Sequence, residues 1–444
     1  MRYIRNLCSV ALPLVLVFAA TGIVSADSTE LEAKVRERSK AIEEKLIAWR
    51  RDIHQHPELG DQEKRTSRLV AEHLRGLDLE VHTGVARTGV VGVLKGGKPG
   101  PTVALRADMD ALPVKEPEGL PFASKEKAEY FGKTVPVMHA CGHDAHTAML
   151  MATAEVLAGM KQELPGSVMF LFQPAEEGSS LVSAASGKSW GAKLMLEEGV
   201  FEKTKPDAVF AVHVMPGPLG EISYRSGPTT ASSDTPEITV MGKQGHGGMP
   251  WDTVDPITTS AQVISGLQTV VSRRARLTDS PLVITIGTIN GGTGPNIVPE
   301  TVQMTGTIRA YDEKVRKQAH ADIRQVAEKI AESAGAKAKV SISKMYDTTI
   351  NDDLLTERMA PVLKRAADGR VAPAPLVGAS EDFSFFAKEV PGLYVFLGVT
   401  PRDQDPAQAA PNHNPNFFID EQALVVGTRV MASLAVNFLA DQPQ

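Results

Sequence analysis

Residues 138–146, MHACGHDAH, bring His139, Cys141, His143, Asp144 and His146 into one short stretch, a density of donors that packing alone does not require. Thiolate, imidazole and carboxylate together suit a divalent transition-metal ion. Cys141 and His143 stand two apart on a glycine-containing turn that can fold both donors onto one centre, while Asp144 and His146 begin a helix. Cys8 is the only other cysteine, and it lies in a segment expected to be removed. A solitary thiol has no intramolecular disulfide partner, which leaves metal ligation, a reactive thiol or a plain buried cysteine.

Further donors occur at the ends of apolar runs. Asp108 and Asp110 follow the run TVALRADM, and residues two apart on a strand face the same side, so either carboxylate can point at a site above the sheet edge. Two solvated turn acids would look the same. Glu176 and Glu177 in QPAEEG follow the run SVMFLFQ; adjacent carboxylates there diverge, so one can serve a metal and the other a reacting water. His213 sits inside FAVHVMP and, in so apolar a setting, needs a partner. His413, in PNHNPNF, reads equally well as a ligand or as an ordinary loop histidine.

These groups need a scaffold of buried strands. The runs 89–96, 102–109, 167–173 and 207–214 are almost continuously apolar, as the strands of a doubly covered α/β sheet are. Helical spacing over 29–56 and 146–163 alternates with them, which indicates an α/β sandwich with ligands at the strand C-termini. From about 230 the texture changes. Strand 236–242, helix 255–274, strands 282–289 and 301–310, helix 312–334 and strand 338–345 give β-α-β-β-α-β, a ferredoxin-like α+β unit. After 350 the α/β pattern returns, with a strand at 393–398 and a helix at 420–439. The expected domains are therefore a catalytic metal-binding domain from 27–229 and 344–444, with 230–343 inserted as a lid and dimerisation domain.

Arg2 and Arg5, the apolar run 11–24 and Val24-Ser25-Ala26 form a signal-peptide pattern over 1–26, which implies a secreted or periplasmic protein without stable membrane association after cleavage. The chain counts 47 basic against 53 acidic residues, a net charge of −6, and has no basic stripe with interleaved aromatics, so nucleic acid is not an expected partner.

Five motifs in order, HPELG (56–60), RADMDALP (106–113), MHACGHDAH, QPAEEG and ASEDFSFF (379–386), resemble the M20 family of metallo-amidohydrolases. Within it, the likeness is to the aminoacylase/carboxypeptidase-like subgroup that includes hippurate hydrolases and plant indoleacetyl-amino acid hydrolases, and it runs from about residue 45 to 440. The resemblance implies two divalent ions per subunit, Mn²⁺ or Zn²⁺ with Co²⁺ or Ni²⁺ acceptable. It implies Cys141 as the bridging thiolate, His143, Glu177, His213 and His413 as further ligands, Glu176 as general base and Asp110 as the orienter of a ligand. Asp108 stands where other branches of the family carry a ligand histidine. In the inserted unit, the resemblance implies that His246, in GHGGMP, reaches a neighbouring subunit's site to stabilise the oxyanion. Asn296 and Arg309 would face the substrate carboxylate, although GGTGPN is a strong turn whatever its function, and Arg309 equally fits a surface strand position.

The expected reaction is hydrolysis of an N-acyl-amino acid at its amide bond by a metal-activated water, in a homodimer formed through the inserted domain. Carboxypeptidase or dipeptidase action by the same machinery is the near alternative. A catalytically silent metal- or ligand-binding relative is the alternative from another class, and the Glu176-Glu177 pair argues against it. A redox thiol protein would need a resolving cysteine that the chain lacks.

Overall fold

The structure, a computed structural model, describes residues 26–183 and 186–441. The expected leader lies outside them except for Ala26.

The apolar runs form the centre of an eight-stranded sheet. Lys98–Asp108 pairs in parallel with Pro165–Gln173 and Ala208–Pro218, and Ala208–Pro218 pairs in parallel with Gly392–Thr400. An antiparallel pair, Glu80–Val85 and Gly89–Lys95, extends one edge, while Ile222–Tyr224 and Val371–Pro373 extend the other. These central strands lack a polar face because both faces are covered. Phe210, Val212 and Val214 enter the core beneath helices Glu43–Gln55, His143–Ala158 and Leu424–Ala440, whereas Val209 and Ala211 pack with Met195, Phe383 and Phe386 of two short helices on the other side. The result is a three-layer α/β sandwich.

Helix His143–Ala158 is Ala- and Met-rich because almost every position is enclosed between sheet and neighbouring helices. The final helix, Leu424–Ala440, is apolar enough to resemble a membrane span, yet its side chains are buried in the core. The single helix expected over 29–56 is two, Ala26–Ala41 and Glu43–Gln55. The break falls at Ile42, whose side chain is buried in the core.

A second, four-stranded antiparallel sheet runs from Ser233 to Tyr346 in the order Leu282–Gly291, Thr301–Ala310, Ser233–Met241, Lys337–Tyr346. Its connections are the helices Pro256–Thr269 and Glu313–Ser333, started by Asp255 and Asp312, whose carboxylates accept backbone N–H groups of the first turn. Val302, Met304 and Ile308 of the sheet pack with Val263, Leu267 and Ile323 of the helices, so one face is covered. The chain enters and leaves this unit through a two-stranded ribbon in which Gly227–Thr230 pairs with Thr349–Asn351. The fold is thus an α/β catalytic domain carrying an inserted ferredoxin-like α+β unit.

Candidate metal centre

Gly142 sets the geometry of the MHACGHDAH segment. It has φ 90°, and a Cβ there would lie 2.2 Å from the Cγ2 of Val214, so the turn requires glycine on both counts. The turn places Cys141 just before, and His143 at the start of, helix His143–Ala158. The other donors of the segment turn elsewhere. His146 Nε2 accepts the backbone N–H of Val214 at 2.8 Å, so Nδ1 carries the proton and donates to Asp108 at 2.6 Å. Asp144 Oδ2 accepts from Arg50 Nε at 2.8 Å and lies 2.8 Å from His54 Nδ1. Burial would raise the Asp144 carboxyl, but Arg50 and His54 outweigh it and hold the group well below the usual carboxylate range. His139 is enclosed, with neither ring nitrogen hydrogen-bonded.

Two donor sets share the thiol. Cys141, His143 and His213 form one, and Cys141, Glu177 and His413 form the other; within each set the ligand atoms all lie within 4.8 Å of one another. A third grouping joins His143 and Glu177 to Glu176. His143 and His213 are presented through their other nitrogens, as is usual for metal ligands. Asp110 Oδ1 lies 3.1 Å from His143 Nδ1, and His213 Nδ1 donates to the Val214 carbonyl at 2.8 Å. This frees His143 Nε2, which is fully buried without a hydrogen-bond partner, and points His213 Nε2 at Cys141 Sγ, 3.5 Å away. Glu177 Oε1 is likewise buried, with His413 Nε2 2.8 Å away. A buried nitrogen left orphaned, as His143 Nε2 is, is costly in a protein unless a partner completes it. The residues fit a pair of divalent ions, with Cys141 common to both.

The loop that carries His413 is tied down. His413 N–H donates to the Ala140 carbonyl at 2.8 Å, and the Asn412 amide donates to the Cys141 and Val214 carbonyls, each at 3.1 Å. Hydrogen bonding with Cys141 and Glu177 raises the His413 imidazole to about 10, while burial raises the Cys141 thiol.

Glu176 and Glu177 lie on a tight turn after strand Pro165–Gln173, with Ala175 at φ 50°. Glu176 is buried, with Oε2 4.0 Å from His143 Nε2. Burial, then Glu381, Glu177 and Asp382, push its carboxyl well above the ordinary range. The acids around it are balanced by one fully buried cation. Arg106 donates to Asp108 at 2.6 Å, Glu381 at 2.8 Å, Asp382 at 3.0 Å and Gln173 at 2.8 Å. Removing one partner from such a network costs about 3–5 kcal/mol, because the remaining charges stay buried and unpaired.

These groups open onto a cavity of about 450 Å³ lined by Cys141, Glu176, Glu177, His213 and His413 together with Met215, Thr230, Tyr346, Tyr394 and Arg309. Arg309 is half-buried in this wall and donates to Ser233 Oγ. His246 and Asn296 do not line it. They sit together on the four-stranded unit, where Gly247 N–H donates to the Asn296 carbonyl at 2.8 Å, and the His246 side chain is exposed.

Residues 104–437 match peptidase family M20/M25/M40. The chain belongs to that family. Similarity to characterised members extends over nearly the whole M20 chain: it is 41% identical over 412 residues to thermostable carboxypeptidase 1 of Saccharolobus solfataricus, covering 92% of this chain and 99% of that protein. It is 37% identical over 402 residues to an N-acetylcysteine deacetylase of Bacillus subtilis, covering 90% and 98%. Among solved structures it resembles a dinuclear metal-binding M20 peptidase of Bacillus subtilis with a TM-score of 0.75 at 34% identity, over 91% of this chain and all of that one. The M20 chain is therefore a hydrolytic metalloenzyme, and its donor sets match the dinuclear character of that relative.

Several groups around the site carry no role in the sequence reading. Arg106, Glu381 and Asp382 lie inside recognised motifs, and their charge is the signal that could have marked them. Glu63, buried between Thr88 and the Ala175 N–H, and Tyr346, at the cavity wall, sit in stretches without a distinctive pattern.

Proposed function

We propose that this M20 enzyme hydrolyses the amide bond of N-acyl-amino acids, releasing a carboxylic acid and a free amino acid. The observation that carries this reading is the sharing of Cys141 between two donor sets, with the Glu176 carboxylate 4.0 Å from His143 Nε2. Two divalent ions held by Cys141, His143, Glu177, His213 and His413 would supply Lewis acidity toward the scissile carbonyl and toward water. Zn²⁺ or Mn²⁺ suits the donors best, and Co²⁺ and Ni²⁺ are acceptable. Glu176 takes the proton of the attacking water and returns it to the leaving amine; its raised affinity for a proton strengthens it as the base in the first of those transfers. Arg309, on the facing wall, supplies a cation for the carboxylate of the amino-acid half.

His246 and Asn296 act, in this proposal, on the site of a second copy. Their exposure supports it, as does an apolar rim near them. Trp251 and Met249 are exposed beside His246, and Val283 and Ile289 are exposed on the edge strand Leu282–Gly291, a surface suited to strand-edge pairing in a homodimer. The leader at 1–26 directs the chain to a secreted or periplasmic location, which N-terminal sequencing of the mature protein tests.

The similarity to a carboxypeptidase favours a second reading, cleavage of a C-terminal residue from short peptides by the same groups. A panel of hippurate, N-acetyl-amino acids and dipeptides separates the two. Higher kcat/KM on acyl-amino acids supports the first reading, and higher kcat/KM on dipeptides replaces it with the second.

A further inference from the structure

The turn bearing Glu176 is held at three points. Glu63 Oε1 accepts the Ala175 N–H at 2.8 Å, and Asp110 Oδ2 accepts the Glu177 N–H at 2.9 Å; both acids belong to the large-sheet domain. The third contact comes from the other unit: the Tyr346 hydroxyl donates to the Glu176 carbonyl at 2.6 Å. Tyr346 ends the strand Lys337–Tyr346, an edge of the four-stranded sheet, and it also lines the cavity with Glu176, Cys141 and Arg309.

The surroundings fix that hydroxyl. Trp190 Nε1 donates to it at 3.0 Å from the start of helix Gly191–Glu197, leaving its own hydrogen for Glu176. The next residue, Asp347, pairs with Arg316 of the inserted unit and with Lys388 of the large domain, so the chain is pinned as it crosses between the two. The turn itself needs outside support, because Ala175 holds a left-handed conformation that a non-glycine residue adopts at a cost of about 1 kcal/mol.

We propose that Tyr346 is a positioning residue for the reaction, its hydroxyl fixing the Glu176 peptide from the inserted unit so that the carboxylate is aimed only while that unit holds its place over the site. The proposal rests on the assignment of Glu176 as the base. Among the described residues the Tyr346 hydroxyl is hydrogen-bonded to the Glu176 carbonyl and to Trp190, so it acts on turnover rather than on metal uptake. Misplacement of a catalytic group by a fraction of an ångström is enough for a tenfold loss or more.

The test compares Tyr346→Phe, Trp190→Phe and the double variant in the metal-loaded enzyme, measuring kcat, KM, metal content and thermal midpoint. Tyr346→Phe is expected to lower kcat roughly tenfold or more, with KM within about twofold and metal content unchanged. Trp190→Phe is expected to have a smaller effect, and adding it to Tyr346→Phe to cost nothing further, since Trp190 acts through the same hydroxyl. A Tyr346→Phe enzyme with parental kcat overturns the proposal, as does a loss that tracks metal content or thermal midpoint. Glu176→Gln, run alongside, separates the two assignments. If it is inactive while Tyr346→Phe is parental, the base stands and the positioning role falls; if it is active, the base falls and the proposal with it.

Discussion

His413 Nε2 lies 2.8 Å from the buried Oε1 of Glu177. The imidazole is raised to about 10 by Cys141 and Glu177, and burial raises the Cys141 thiol, so in the metal-free protein at neutral pH both groups hold protons that a metal must displace. His143 adds a third, since against its burial Asp108 and Cys141 hold its imidazole well above the ordinary value, so titration of metal-free protein with Zn²⁺ or Mn²⁺ in weak buffer at pH 7 is expected to release about three protons per chain, with apparent affinity rising as pH rises. Uptake without proton release would remove His413 and Cys141 from the ligand set.

Asp110 serves two groups at once, His143 through Oδ1 and the Glu177 N–H through Oδ2. Asn at this position cannot accept from both. Asp110→Asn is expected to weaken metal binding by about 10–100-fold while leaving the thermal midpoint of the metal-free protein nearly unchanged. Competition with a chelator of known affinity measures it, and parental affinity would assign Asp110 a purely structural part.

How much of this was legible in the sequence depended on residue type and range. The strands could be read because the runs around Val103, Phe170, Val209 and Leu393 are apolar on both faces, a pattern set by the two helix layers. Cys141, His143, Glu176 and Glu177 stood out because thiols, imidazoles and paired acids are rare beside such runs. Residue type alone could not separate His143 from His146. Both lie at the start of one helix, and only the Val214 N–H, which occupies His146 Nε2, distinguishes them. Arg106 and Glu381 are 275 positions apart, so no local pattern pairs them. The break at Ile42 was also hidden, since the apolar spacing continues across it.

His246 is exposed and lies outside the cavity of its own chain. If it completes a second copy's site, Glu176→Gln and His246→Ala enzymes, each inactive alone, should complement each other. Dissociated and reassociated in equal amounts, they are expected to recover about a quarter of parental activity, because half of the random dimers carry one intact site. No recovery, with mixed dimers confirmed by mass, would confine His246 to its own chain.

His139 is 2% exposed, and burial, with help from His54, His143 and Arg50 against the pull of Asp144, lowers its imidazole to about 3. The unfolded chain takes up this proton near pH 6.5, the folded chain only near 3, so the unfolded state binds more protons between those values. Stability is therefore lost as pH falls from 6.5 toward 3. Replacing the ring with an apolar side chain, His139→Leu, should reduce that acid loss by up to a few kcal/mol. Urea unfolding of metal-free parent and variant at pH 7 and pH 4.5 measures it; a stability difference that does not change with pH would contradict the assignment.

The central claim is that Glu176 moves the proton while its neighbours hold the metals. Glu176→Gln keeps size and polarity but removes the base, so the direct measurement is turnover of an N-acyl-amino acid together with metal content on the same preparation. The expected result is two metal ions per chain with kcat reduced by at least about 10²-fold. A metal-loaded Glu176→Gln enzyme within a few fold of parental turnover would contradict the account.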